Sequence, residues 1–404
     1  MTALRVRCRR VEGAPVVALR VWVRAGARIE ERPGLALLTG RLLSEGSRRR
    51  GWRQIAEDAE DRGMVLSSFG TFECHGVAID ALATDWELAL DWAAELMREP
   101  SFAADRCDWL ARQAAAELES LADQPEVKTA WSFLDQLYAP HPRSRPIQGD
   151  EASLLAVTPG DCAAFHQRAL SHGVMVTVAG AIEEDAVAAR LADLFAGLPP
   201  PAAPPPEPPA PAGRPLARRE VATDAEDQAY LYVGHLTVPR RHPDFAALEA
   251  LAVILGSGAG LTGRIPHRIR EREGLAYSAH AQTAAGAGTD PGRLVASVGT
   301  SPDTVEQALA GVVEEIGRLV EGGIEDAELD EARAYLLGRE PFRRETARQW
   351  AELLVDAEHY GLPLEDVHER RKTLLALDRQ QVEAAARSHI LPGALKVTVG
   401  LPGA

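Results

Sequence analysis

This chain is written twice, and the repeat limits what it can fold into more than any other feature. An alternating apolar strand, VVALRVWVRAG from Val16, has its counterpart in QAYLYVGHLTV from Gln228. An apolar helix follows each, and a turn then leads into further strands. A long amphipathic helix comes next in both halves, DWELALDWAAELMRE before Pro100 and SPDTVEQALAGVVEEIGRLVEGG after Ser301. Stretches rich in Ala and Glu follow, SFAADRCDWLARQAAAELESLADQP and GIEDAELDEARAYLLGREPF. Each half closes on a helix and a β-rich strand, PGDCAAFHQRALSHGVMVTVAG up to Gly180 and DRQQVEAAARSHILPGALKVTVG up to Gly400. The pattern predicts an α+β fold of two homologous domains, each a mainly antiparallel sheet with helices packed on one face.

The copies are joined by LPPPAAPPPEPPAPAGRP, where ten of the chain's 27 prolines fall between Pro199 and Pro215. Proline removes a backbone donor and favours the extended polyproline conformation, so this segment reads as a semi-rigid linker. The expected boundaries are a first domain over 1–198, a linker over 199–217 and a second domain over 218–404. At 46% hydrophobic and 25% charged residues, both halves have the means to bury a core.

Charge and cysteine usage narrow the partners. With 59 acidic against 44 basic residues the formal charge is −15, which argues against a phosphate-binding surface and therefore against nucleic acid. No apolar run reaches the roughly 18 residues of a membrane span. The N-terminal MTALRVRCRRVEGAPVVAL breaks its apolar content with Arg, Glu and Gly, so no secretory signal is read and a cytoplasmic location is expected. Cys8, Cys74, Cys107 and Cys162 are too scattered for a zinc knuckle or a disulfide framework and read as reduced thiols.

Hydrolytic chemistry needs a metal, a nucleophile with its base, or a carboxylate pair. No HExxH, HxxEH, GxSxG or P-loop lysine occurs. Among eleven histidines no two are spaced three or four apart, as ligands sharing a helix face would be. Cys74 and His75 are neighbours on a predicted strand, so their side chains point to opposite faces and cannot share an ion. No complete metal site is legible. The stretch ILGSGAGLTGRIPHRIREREGLAYS, from Ile254 to Ser278, holds Gly256, Gly258, Gly260 and Gly263. These permit tight turns and close approach to a partner, or else a plain interhelix loop. Farther along come Arg270 and Tyr277 with Gly274 between them. A helix ending near Gly274 and a strand beginning at LAYS would bring both donors to the strand's mouth, where they suit a substrate carbonyl.

With these landmarks in view, the chain resembles the pitrilysin/insulinase family of zinc metallopeptidases, in its small heterodimeric, processing-peptidase-like branch. The resemblance runs through VWVRAGARIEERPGLA, LADQPEVKTAWSFLDQLYAPHPRSRPIQG, LGSGAGLTGRIPHRIREREGLAYS and the terminal strand, nearly the full length. Catalytic members carry HxxEH on the helix after the first strand, where this chain reads GLALLTGRLLSEGS. The first His falls on Leu37, the general-base Glu on Gly40 and the second His on Arg41, while the third ligand falls on Glu117 in AAAELESL. The resemblance thus implies a clamshell half with no zinc and no hydrolytic activity of its own. It further implies that zinc resides in a homologous HxxEH-containing partner subunit, to whose site this chain contributes Arg270 and Tyr277. Gly256, Gly258, Gly260 and Gly263 overlie the glycine-rich segment tied to substrate handling in the family's non-catalytic subunit. A substrate-binding subunit acting on peptides or unfolded segments is the leading expectation; a scaffold, or a peptide-binding homodimer without peptidase activity, is the alternative.

Overall fold

Ten strands build two five-stranded sheets of one connectivity in the computed structural model, which describes residues 3–198, 201, 204–225, 227–258, 262–364 and 367–403. The first sheet comprises β1 (Leu4–Arg10), β2 (Val16–Val23), β3 (Val65–Gly70), β4 (His75–Leu82) and β5 (Val174–Gly180), in the order β1-β5-β2-β4-β3. The second comprises β6 (Arg218–Thr223), β7 (Ala229–Leu236), β8 (Ala276–Ala285), β9 (Arg293–Thr300) and β10 (Lys396–Pro402), in the order β6-β10-β7-β9-β8. Only β1 with β5 and β6 with β10 run parallel; every other pairing is antiparallel. The repeat therefore extends to strand order and direction.

The sequence-based start of each half needs correction. VVALRVWV and AYLYVGHL are the second strands, and an edge strand precedes each, β1 and β6. β1 reads LRVRCRR, whose apolar Leu4, Val6 and Cys8 pack against the first core while Arg5, Arg7 and Arg9 alternate with them. An arginine-bearing face is stable in a strand because an acid meets it: Arg5 and Arg7 both pair with Glu358.

Each sheet carries its main helical layer on one face, as expected, and one further helix on the other. In the first, Val17, Leu19, Val21 and Val23 of β2 face a large core with the helices Leu35–Leu42, Trp86–Arg98 and Pro159–Leu170. Ala18 and Ala179 point the other way, onto Ala347, Ala351 and Leu354 of the helix Ala347–Tyr360. That helix also brings Glu352 to within 2.6 Å of Arg20, a nearly buried guanidinium that meets Asp80 at 2.9 Å. In the second sheet the opposite-face helix is Pro125–Tyr138, whose Phe133, Leu137 and Tyr138 pack on Tyr232, Leu236 and Val295. Gln136 accepts from the Thr398 hydroxyl at 2.7 Å, and a Cβ at Gly400 would lie 2.0 Å from Thr129 Oγ1. That helix and β10 thus approach so closely that glycine is required there.

These two helices make each compact unit discontinuous. Unit 1 contains Met1–Glu119, Arg145–Pro209 and Phe342–Leu364; unit 2 contains Ser120–Ser144, Ala210–Pro341 and Glu365–Ala404. Each half of the sequence lends one helix to the other half's sheet, which the expected contiguous ranges 1–198 and 218–404 do not describe. The proline segment lies partly outside the described residues, at 199, 200, 202 and 203. Its far end is anchored: the amides of Ala212 and Gly213 donate to the Ala139 carbonyl, and that of Arg214 to Gln136.

Unit 1 also buries an imidazole pair. His75 Nδ1 lies 2.6 Å from the Ala25 carbonyl, His75 Nε2 2.9 Å from His166 Nδ1, and His166 Nε2 2.7 Å from the Met97 carbonyl. Two neutral rings have two N–H protons for these three contacts, so hydrogen bonding favours an added proton and burial opposes it. Burial wins: it lowers His75 to about 3, helped by His166, and His166 to about 4. Among the described residues no helix is long and apolar enough to cross a membrane.

Candidate functional site

The helix Leu35–Leu42, which the resemblance sets at the zinc motif, is packed tightly against its neighbours. Leu37 is buried, and Gly40 meets β3 backbone to backbone. A Cβ on Gly40 would lie 2.3 Å from the Phe69 carbonyl oxygen, and one on Gly70 would lie 2.5 Å from that of Ala36. Real Cβ atoms do not come so close, so no glutamate fits at position 40 without moving the helix off the strand. Gly70 is the partner in this closure that sequence reasoning missed; nothing marks it apart from other glycines until β3 is placed beside the helix.

One turn on, Arg41 Nη2 meets Glu117 Oε2 at 2.8 Å. The two residues that the resemblance sets at the second-histidine and third-ligand positions are thus ion-paired with each other. A second pair of reversed polarity, Arg106 Nε to Glu45 Oε2 at 2.6 Å, links the following turn to the same helix, Ala104–Ala122. Zinc needs three protein donors with a position open to water. An apolar side chain, a glycine and a guanidinium supply none, and the remaining carboxylate is already paired. The donor set does not fit the metal.

Arg270 and Tyr277 lie on either side of a sharp helix-to-strand turn. The helical segment His267–Arg272 ends as the Glu273 amide donates to Arg268 O at 3.0 Å and the Leu275 amide to Ile269 O at 2.8 Å. Gly274 takes the left-handed φ of 61° that such an ending requires. β8 begins two residues later with a register shift between Ala276, opposite Thr300, and Ser278, opposite Gly299. Tyr277 is therefore the extra residue of a β-bulge on an edge strand, a device that re-aims a side chain. It is 84% exposed, the most exposed large hydrophobic among the described residues.

The neighbouring arginines divide in the same way. Arg268 is held by Glu273, Glu314 and Glu315 at 2.6 to 3.1 Å, and these carboxylates keep its guanidinium firmly charged. For Arg270 the contact among the described residues is Glu271 at 3.9 Å. Of the four glycines, Gly256 and Gly263 are buried against each other: a Cβ on Gly263 would lie 2.5 Å from Gly256 Cα. Their lack of a side chain serves packing beside β8. Gly258 is partly exposed, and Gly260 lies outside the described residues.

Comparison with known proteins places this architecture. Residues 5–150 match the family profile described as insulinase (peptidase family M16), and residues 156–336 the one described as peptidase M16 inactive domain. The chain belongs to peptidase family M16. Within that family it is a member without the HxxEH motif. An uncharacterized zinc protease of Mycobacterium leprae is 28% identical over 89% of this chain and 81% of its own length. A non-peptidase homolog from Helicobacter pylori is 24% identical over 87% of this chain and 81% of its own length. Among solved structures, a peptidase M16 inactive domain from Pseudomonas fluorescens superposes with a TM-score of 0.89 at 24% identity, over 100% of this chain and 97% of that one. The M16 relatives thus include chains named as zinc proteases and a chain named a non-peptidase homolog.

Proposed function

We propose that this chain is the non-catalytic, substrate-binding subunit of a heterodimeric zinc metallopeptidase acting on peptides or unfolded segments. Its partner is a homologous subunit carrying HxxEH, which supplies the metal-activated water and the general base. The observation that carries the reading is the outward presentation of Arg270 by the helical segment His267–Arg272 and of Tyr277 by the bulged edge strand that follows, in a chain whose helix Leu35–Leu42 is closed by Gly40 and the Arg41–Glu117 pair. A cationic fork and a phenol, neither engaged by a strong internal partner, suit a peptide carbonyl that gains negative charge as it is attacked. An extended peptide satisfies its backbone by adding to a sheet edge, and β8 is such an edge.

The test begins with isolation of the native complex through this chain and identification of an HxxEH subunit by mass spectrometry. Cleavage of quenched fluorescent peptides is then measured for the reconstituted pair. Tyr277→Phe keeps the ring and removes one donor, so a loss of about a hundred- to a thousand-fold in turnover is expected, with complex formation unchanged. Arg270→Ala is expected to cost at least as much, since a charged donor is lost. Parental rates in both variants would replace this reading with the scaffold. A complex that contains only copies of this chain would point to the peptide-binding homodimer.

A further inference from the structure

A second set of ligand-type side chains converges in unit 2, away from every position the family resemblance marks. His242 and Asp244 lie in the turn between β7 and the helix Phe245–Ala252, and His389 is the last residue of the helix Arg379–His389. One potential ligand atom from each comes within 4.8 Å of the others. His389 Nε2 lies 2.8 Å from Asp244 Oδ2, and His242 Nδ1 lies 3.8 Å from the same oxygen. The two rings meet nearly edge to face, 4.8 Å between centroids at 80°.

We propose that His242, Asp244 and His389 form a binding site for a zinc-class divalent ion. With metal–ligand bonds of about 2.0 to 2.1 Å, tetrahedral donors stand roughly 3.3 Å apart. The observed 2.8 and 3.8 Å separations from Asp244 straddle that spacing and all three ligand atoms lie within 4.8 Å of one another, so the side chains draw together as the ion enters. Two imidazoles and one carboxylate suit zinc, cobalt, nickel or copper, whereas magnesium and calcium demand more oxygen. A fourth position remains for water.

The carboxylate's orientation is the independent sign. Asp244 is the N-cap residue of its helix, where an aspartate ordinarily accepts from a first-turn amide. Here its side chain makes no capping bond and turns to the histidines instead. His389 sits where the carbonyl end of an eleven-residue helix favours a cation. Arg240, the nearby guanidinium, is stacked on Phe245 at 4.2 Å and faces Glu249, so it does not occupy the site.

The proton inventory is simple. His389 now shares its Nε2 proton with Asp244; on binding, that proton moves to Nδ1 or to solvent and the freed lone pair takes the ion. His242 Nδ1, which now accepts weakly from the Asp244 amide at 3.2 Å, exchanges that contact for the metal. The bound ion then ties the turn after β7 to the end of a helix from the far end of the chain.

The experiment uses the full chain without a histidine tag, stripped with a chelator and titrated with zinc by calorimetry, with cobalt as a spectroscopic substitute. One ion per chain is expected, with tetrahedral cobalt bands and a raised thermal midpoint. His389→Ala and Asp244→Asn should each weaken binding by roughly tenfold or more. Asp244→Asn is isosteric and keeps the result readable if His389→Ala impairs folding. Absence of saturable zinc binding, or unchanged affinity in both variants, overturns the site. Loss of the ion on Glu117→Gln instead would also overturn it, by moving the metal to the motif helix.

Discussion

One turn occurs in both halves and faces opposite ways. In unit 1 the helix Trp52–Glu60 runs through Gly63, at φ 62°, into β3; in unit 2 the segment His267–Arg272 runs through Gly274, at φ 61°, into β8. Counting from these glycines, Arg270 before and Tyr277 after correspond to Ala59 and Leu66. Ala59 is buried and Leu66 packs against the core, whereas Arg270 is half exposed and Tyr277 points to solvent. β3 pairs with β4 without interruption from Val65 onwards, and β8 inserts one residue at Tyr277. A single added residue, with two substitutions, thus turns a core-forming corner into an exposed one. In the inward copy the end of β3 closes on the helix Leu35–Leu42, where Gly70 meets Gly40.

The largest expected difference between the halves is acid sensitivity. His75 and His166 form a buried pair in unit 1, with folded values of about 3 and about 4 against the ordinary 6.5, whereas in unit 2 burial also lowers the single imidazole of His235. A depressed histidine binds its proton more readily in the unfolded chain, so its stabilisation is complete above pH 6.5 and is lost as pH falls below it. One proton between pH 6.5 and the folded value of about 4 amounts to roughly 3 kcal/mol. Six of the seven tryptophans lie within unit 1, so denaturant unfolding followed by tryptophan fluorescence at pH 7 and near pH 4.5 measures it. Equal midpoints at the two values would remove the imidazole pair from the account.

Next comes the helix–strand contact. Gly40→Ala is expected to cost about 1 to 3 kcal/mol, and Gly40→Glu at least as much, because the helix must lift from β3. Denaturation midpoints measure this, and a Leu37→His, Gly40→Glu, Arg41→His chain of parental stability that binds zinc would show that side chains alone had closed the motif. The matched glycines give the sharpest comparison. Gly63→Ala and Gly274→Ala each meet open space and differ little in φ, so each should cost about 1 to 2 kcal/mol. Only Gly274→Ala should also slow peptide cleavage by the reconstituted pair, since it re-aims Arg270 and Tyr277. The smallest effect is at the Arg41–Glu117 pair, whose partners are 26% and 37% exposed. Arg41→Met should change stability by less than about 1 kcal/mol, as read from the same midpoints.

The duplicated fold was legible because amphipathic periodicity and strand alternation survive in both halves. The degenerate motif was legible because the resemblance aligns Leu37, Gly40 and Arg41 with the two histidines and the glutamate of catalytic members. β1 was missed although its alternation is present, because the arginines that break up a leader also form the outer face that Glu358 meets. The exchange of helices leaves no local trace: Ala347, Ala351 and Leu354 show an apolar stripe, and no periodicity says which sheet it covers. His75 with His166, and His242 with His389, are far apart in the chain, beyond any spacing argument. The bulge at Tyr277 depends on register, which the strand's own residues do not declare.

The exchanged helices set the order in which the molecule can be made. A ribosome delivers β1 to β5 well before residues 347–360, so Ala18 and Ala179 lack their cover, and Arg20 its Glu352, until most of the second half has emerged. Unit 2, in turn, has its Pro125–Tyr138 helix waiting long before its own strands exist. The first half of the nascent chain is therefore an unfinished layer, a natural client for a holding chaperone, and commitment to the native state is deferred to nearly the end of synthesis. A gene split at the proline segment would yield two products that must find each other before either is complete.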